Sequence, residues 1–328
     1  MLLQFVICDL RFFSPGLFPR TLQITNYQLQ IPGAGVSLDP YAALQAVING
    51  VLTGALYALV GMGLALIFGV MRIVNFAHGA FMMLGMYATY VLFTRTNLSP
   101  YLLFIVSGVI LFVIGYAIYF GLLRPIHGQS DFMQILLTLG IGLICTDGVL
   151  LVFGADYHQI NIPLLGKNLR LGPHLTVNAP WVVSFVIAVA LALALYFFVM
   201  RTMIGRAARA IAQNRYAAPL MGINVFRVQA ISFAVGIAAA GIAGGLLLPV
   251  FYIYPQVGDQ FTLKAFVMVV LGGMESIVGA ALAGLVLGVV ESLTSLYWGN
   301  EWALAVDFVI FLLVLSLKPS GIFGRQRA

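Results

Sequence analysis

Charge is what this sequence has least of: 8% of its 328 residues are Asp, Glu, Lys or Arg, against 62% hydrophobic. The length alone suggests about two soluble domains, but this composition leaves too little polar surface to keep them in water. Cysteine is nearly absent, and Cys8 and Cys145 form neither a disulfide framework nor a metal-binding spacing. The four histidines, His78, His127, His158 and His174, contain no H-E-x-x-H pair. There is no G-x-x-x-x-G-K-[ST] phosphate loop, and no nucleophile is flanked by a recognisable base. These absences argue against covalent catalysis and against ATP hydrolysis by this chain, so no cofactor or metal is expected. A basic patch interleaved with aromatics is also lacking, which argues against nucleic-acid binding.

What is present is apolar length. A mean hydropathy of +1.05 points to an all-α polytopic integral membrane protein. The 35 glycines suit such a bundle, since helices in lipid gain from close backbone approach rather than from a hydrophobic drive. The formal charge of +6 belongs to the loops. Its densest internal stretch is residues 201–227, where Arg201, Arg206, Arg209, Arg215 and Arg227 stand without an acidic residue. The positive-inside rule puts this interval in the cytoplasm and fixes the orientation of the chain. Its Ala-rich run, with Pro219 near the close, reads as a short helix beside the membrane. Two uses fit that composition: a basic anchor on anionic membrane lipid, or a surface for a cytosolic partner.

Taken in order, residues 1–40 read as an N-terminal extension whose opening apolar run is too short to span and lacks the features of a signal peptide. Residues 41–328 form the membrane domain. Apolar spans are expected at residues 41–70, 75–93, 101–123, 133–153, 181–200, 228–251 and 302–317. Counting sides outward from the basic interval, the N-terminus lies outside. The Lys318, Arg325 and Arg327 tail asks to be cytoplasmic, so residues 262–295 must begin and end outside. At about 34 residues this segment is too short for two full spans and too long for one, and it is interrupted at Gly272-Gly273 and Gly279. It reads as a broken or re-entrant pair. A single long helix with an external C-terminus is the alternative. The expected architecture is about eight transmembrane helices plus this broken or re-entrant segment.

Ionisable groups within spans cost on the order of 2.5–3.5 kcal/mol at a helix centre, so each is a functional candidate. Glu275 sits beside the expected break and Glu291 lies in the same segment, so either is placed to meet a polar solute. Asn75 and His78 mark another interruption and join them as candidates for a translocation path. His78 also suits a backbone-bonding role. Asp147 and Asp307 read as residues that satisfy neighbouring helices or lie at an interface.

Several ordered stretches together resemble the LivH-type permease subunit of branched-chain amino acid ABC importers. They are N-G-V-L-T-G-A-L-Y-A-L from Asn49, G-L-A-L-I-F-G-V-M-R-I-V-N-F-A-H-G-A-F-M-M-L-G from Gly63 and L-R-P-I from Leu123. G-R-A-A-R-A-I-A-Q-N from Gly205, M-G-I-N from Met221 and V-L-G-G-M-E-S-I-V-G-A from Val270 complete the set. The resemblance implies that residues 201–227 hold the segment coupling the permease to its ATPase, with Gly205, Arg206, Arg209, Gly222 and Asn224 matching it. Gln213-Asn214 departs from the family, which commonly has an acidic residue there, so Gln213 marks a coupling position with altered chemistry. The partners implied are a LivM-type permease, two ABC ATPase subunits and a periplasmic substrate-binding protein. The location implied is the bacterial inner membrane. Transport would proceed by alternating access of a small amino acid with an apolar side chain. Urea or short-chain amide uptake is the alternative within the family. A proton-coupled secondary transporter or channel using Glu275 or Glu291 is the alternative outside it. Related chains begin shortly before the first span, so Val36 is expected to be the initiator, with residues 1–35 an over-called start. Intact mass of the purified subunit tests this.

Overall fold

The structure, a computed structural model, describes residues 40–126, 128–160, 162, 168–170, 175–318 and 321–322. The expectations for the N-terminal extension and for Val36, with His127, His174, Arg325 and Arg327, lie outside the described residues. Ten α-helices carry the described chain: α1 (Pro40–Met71), α2 (His78–Thr96), α3 (Pro100–Ile118), α4 (Asp131–Phe153), α5 (Ala179–Arg201), α6 (Met203–Gln213), α7 (Val225–Leu247), α8 (Val257–Gly272), α9 (Ile277–Trp298) and α10 (Asn300–Leu317). A π-helical turn, Tyr119–Leu123, extends α3. Two short antiparallel strands, β1 (Asn168–Arg170) and β2 (Thr176–Asn178), pair in the loop before α5.

Seven of these helices, α1, α3 with its extension, α4, α5, α7, α9 and α10, are long and apolar enough to cross a bilayer. The chain is thus an all-α polytopic membrane protein. Side-chain caps start several helices. Ser130, Thr202, Asn224 and Ser276 accept from the backbone N–H three residues on, satisfying donors that a first turn leaves free.

Of the two interruptions expected within residues 262–295, the one at Gly272-Gly273 is present, whereas Gly279 lies inside α9, where its missing side chain allows close contact with Gly272. The first piece, α8, begins at Val257 rather than 262 and ends at Gly272. Gly273 has φ 92°, which a residue with a side chain adopts only under strain, and the chain turns there into α9. At 1.5 Å per residue α8 is about 24 Å long, short of a hydrocarbon core of about 30 Å. The segment is therefore a short helix and a full one.

A second interruption is deeper than the sequence suggests. The span expected at residues 75–93 becomes a helix only at His78, and Arg72 through Ala77 are not helical. His78 reaches the carbonyl of Val60, about 17 Å along α1 from Met71. The stretch between them is thus irregular backbone at membrane depth, which is tolerated only inside protein. Ile73, Asn75 and Ala77 are buried. Thr138 of α4 tethers the stretch, its Oγ1 accepting from the Phe76 N–H and donating to the Val74 carbonyl.

α1 and α7 form the buried centre, whereas few residues of α4, α5 and α10 are fully buried. Close approach relies on small residues. Gly85 of α2 lies so tightly against the Gly241 backbone of α7 that a Cβ on Gly85 has no room, while a Cβ on Gly241 would meet the Leu111 side chain of α3.

The contacts between loops support the side assignment. Arg72, after α1, pairs with Glu275 in the α8–α9 turn at 3.7 Å. Beyond α10, the Ile322 N–H donates to the Leu271 carbonyl, so the C-terminal end meets that same turn. At the opposite end Gln45 exchanges two hydrogen bonds with Thr176 of β2, and His158 pairs with Ile253.

Candidate functional site

At the end opposite the basic interval, a cavity of about 430 Å³ opens between α1, α5, α9 and the start of α10. Its wall is polar where Asn49, Thr53, Tyr57, Glu291 and Ser292 line it and apolar at Trp181, Phe251 and Leu296. Glu291 is held from behind. Lys264, on α8, donates to Glu291 Oε1 at 2.5 Å and to the Tyr57 hydroxyl at 3.0 Å. The side chains of Lys264 and Glu291 are 10% and 17% exposed. The Lys264 ammonium also lies 5.7 Å from the Phe261 ring centroid, a cation–π contact.

A second carboxyl group stands near this pair. Asp307 of α10 is 1% exposed and lies within electrostatic reach of both Glu291 and Lys264. Neither Asp307 oxygen has a hydrogen-bond partner, and Glu291 Oε2 has none. One ammonium thus faces two carboxylates. Leaving a buried polar atom without a partner is costly, and Glu291 lines the cavity, so its Oε2 is an open acceptor there.

Lys264 and Tyr57 are the residues that sequence reasoning missed. The available signal was F-T-L-K-A-F, a lone cation in an apolar run within the same broken segment as Glu291. The expectation that Asp307 satisfies neighbouring helices meets a different arrangement, a carboxylate with no hydrogen-bond partner. Asp147, given the same role, is exposed on α4.

The other sequence candidates lie apart from this cavity. Asn75 and His78 are fully buried at the second interruption. Asn75 Oδ1 accepts from the Ala77 N–H, and His78 Nε2 bonds the Val60 carbonyl at 3.0 Å. Asn75 Nδ2 and His78 Nδ1 have no partner. Glu275 sits at the far end of α9 from Glu291, about 24 Å along the helix rise. Its pair with Arg72 is half exposed, at 45% and 54%. Solvent screening makes such pairs worth about 1 kcal/mol or less, so Glu275→Gln is expected to shift the thermal midpoint of the purified chain by no more than a degree or two.

The basic interval folds as α6, a 3₁₀ turn (Ala218–Met221) and a cap leading into α7. α6 is amphipathic, burying Gly205, Ala208 and Ile211 and exposing Arg206, Arg209 and Gln213. Gly205 permits the fold-back, because a Cβ there would collide with the Phe198 and Val199 carbonyls at the end of α5. The two arginines differ in use. Arg209 turns back, its guanidinium donating to the Met200 carbonyl at 3.1 Å, where the C-terminal end of α5 favours a cation. Asn214 Oδ1 accepts from the Tyr216 and Ala217 N–H groups, so the position that departs from the acidic pattern closes a turn. Gly222, at φ 76°, ends the 3₁₀ turn, and Asn224 caps α7. Between α6 and α7, Tyr216, Leu220 and Met221 are 90%, 86% and 82% exposed. Sequence reasoning fixed on charge and passed over this apolar patch, although P-L-M stands out within the polar interval.

Residues 46–315 match the family described as branched-chain amino acid transport system / permease component. The chain is 33% identical over 301 residues to the high-affinity branched-chain amino acid transport system permease protein LivH of Salmonella typhimurium, covering 86% of this chain and 96% of that one. It is 31% identical to BraD of Pseudomonas aeruginosa, a protein of the same description, over 87% of this chain and 97% of BraD. To the LivM permease of Escherichia coli, it is 24% identical over 88% of this chain and 72% of LivM. No solved structure matches. With most of its length matched, the chain belongs to the family of branched-chain amino acid transport system permease components.

Proposed function

We propose that this chain is a membrane-spanning subunit of an ATP-driven importer of branched-chain or similar apolar amino acids in the bacterial inner membrane. It works with a LivM-type permease, two ABC ATPase subunits and a periplasmic substrate-binding protein. Its relatives of LivH and BraD description support the substrate class, and the existence of LivM relatives supports a sister permease. The observation that carries the reading is the exposed Tyr216, Leu220 and Met221 patch on the cytoplasmic side, flanked by Arg206 and Gln213. An apolar cluster rimmed by polar groups in a segment between two spans suits docking to a soluble partner. Gly205, Arg209, Gly222 and Asn224 hold it in place at α5 and α7, so ATPase closure would move two membrane helices together.

The path runs along α9, from Glu291 at the outer cavity towards Glu275 at the cytoplasmic turn, with Asn75 and His78 between the ends on the irregular stretch. Alternating access would open it to one side and then the other.

Leu220→Asp with Met221→Asp tests the docking surface. The double variant is expected to insert normally, judged by yield and elution volume, yet lose nearly all ATP-dependent leucine uptake and fail to retain the ATPase on co-purification. Normal uptake in that variant would end the docking role.

A further inference from the structure

The cavity beside Glu291 has the chemistry of a ligand site and not only of a passage. We propose that it seats a zwitterionic amino acid, with the ammonium on Glu291, the carboxylate at the Tyr57 hydroxyl and the apolar side chain against Trp181, Phe251 and Leu296. This rests on the importer reading and adds the place where the permease itself recognises its solute.

Each part follows from an observed group. The cavity of about 430 Å³ lies within the range of about 300–1,000 Å³ typical of small-molecule sites. Glu291 lines it, and Lys264 occupies Oε1 while Oε2 is unpartnered. A zwitterion is neutral overall, so its ammonium pairs with Glu291 Oε2 while its carboxylate is drawn to the side that Lys264 holds, and the net charge of the cluster is unchanged. The Tyr57 hydroxyl accepts from Lys264 and stands beside Glu291, so its O–H can turn from Glu291 to a ligand carboxylate once the ligand ammonium takes its place on Glu291, with the lysine charge behind it. Lys264 does not line the cavity; it is a positioning residue that fixes Glu291 and Tyr57 at once. Urea or a neutral amide has no ammonium to make a charge-assisted hydrogen bond to Glu291 Oε2, so the site favours an amino acid over them. Gln45, bonded twice to Thr176 of β2, stands at the rim and fixes the mouth on the outer face.

The test uses the whole assembly of this chain, its sister permease, the ATPases and the binding protein in proteoliposomes, with L-leucine as the probe. Glu291→Gln is expected to lower ATP-dependent leucine uptake at least about tenfold, the scale of one lost charge-assisted hydrogen bond, while Glu291→Asp restores part of it. A second measurement does not depend on that variant's folding. Ser295→Cys, placed at the cavity in a Cys8→Ser, Cys145→Ser background, is expected to react with a membrane-impermeant maleimide from outside. Leucine-loaded binding protein with ATP is expected to slow the labelling several-fold. Native uptake by Glu291→Gln, or labelling of Ser295→Cys that leucine leaves unchanged, overturns the site and leaves the importer reading standing. If the native assembly moves no leucine, the importer reading itself fails.

Discussion

Replacing Lys264 by methionine is expected to cost the folded chain about 3–5 kcal/mol, the scale measured when one partner of a buried ion pair is removed. Methionine matches the lysine stem in length but supplies no charge. Glu291 then loses its bond to the ammonium, Tyr57 loses its donor, and Asp307 faces a second carboxylate with no cation between them. The effect is expected as a fall in thermal midpoint in detergent, read by the fraction of protein eluting as a monodisperse peak. Adding Glu291→Met should recover most of the loss, because an apolar pair of similar volume can replace a buried ion pair at little cost. The double-mutant cycle therefore separates two roles. If Lys264 and Glu291 serve stability alone, the double variant folds and transports; if they hold a solute, it folds and does not transport. A Lys264→Met chain as stable as the native one would show that the pair is not buried in the assembled protein.

The second large effect is expected at the crossing of α2 and α7. Gly85→Leu should prevent accumulation of folded protein, since its Cβ would overlap backbone atoms of Gly241 and no side-chain rotation can relieve it. Overpacking against movable side chains costs about 1–3 kcal/mol, and an obstacle made of backbone costs more. Gly140→Leu on α4 is the control. A Cβ there meets nothing within 4 Å, so yield and elution profile should match the native chain. Equal behaviour of the two variants would mean that the close α2–α7 approach is not needed in the membrane.

Why some features were legible in the sequence and others were not follows from the range of the forces involved. Span positions are written in local composition. Twenty or so apolar residues must be helical in lipid whatever surrounds them, and α1, α3, α4, α5, α7 and α10 fall close to where hydropathy puts them. Orientation is equally local, because five arginines without an acid decide a side. The break at Gly273 was readable because adjacent glycines interrupt a run of awkward length. The irregular stretch ending at His78 was only half readable. Its residues look apolar, and what stops the helix is a set of distant partners, Thr138 and Val60 among them.

The candidate site shows the same division. Glu291 was legible as a costly charge in a span, but its meaning depends on Lys264, 27 positions earlier, and on Tyr57, 207 positions from that lysine. No periodicity links such positions. For the basic interval the sequence predicted a cytoplasmic side from its arginines and determined its arginine content and short helix. Only the tertiary structure decided which arginine is spent on the end of α5 and that an apolar patch of Tyr216, Leu220 and Met221 faces outward. By itself, the sequence determined a polytopic α-helical protein, since lipid imposes that one segment at a time, and it carried the likeness to a permease family in its ordered stretches. The pairing of buried charges and the cavity beside them belong to the tertiary structure, because a charge inside a membrane is stable only with partners that folding brings from elsewhere in the chain.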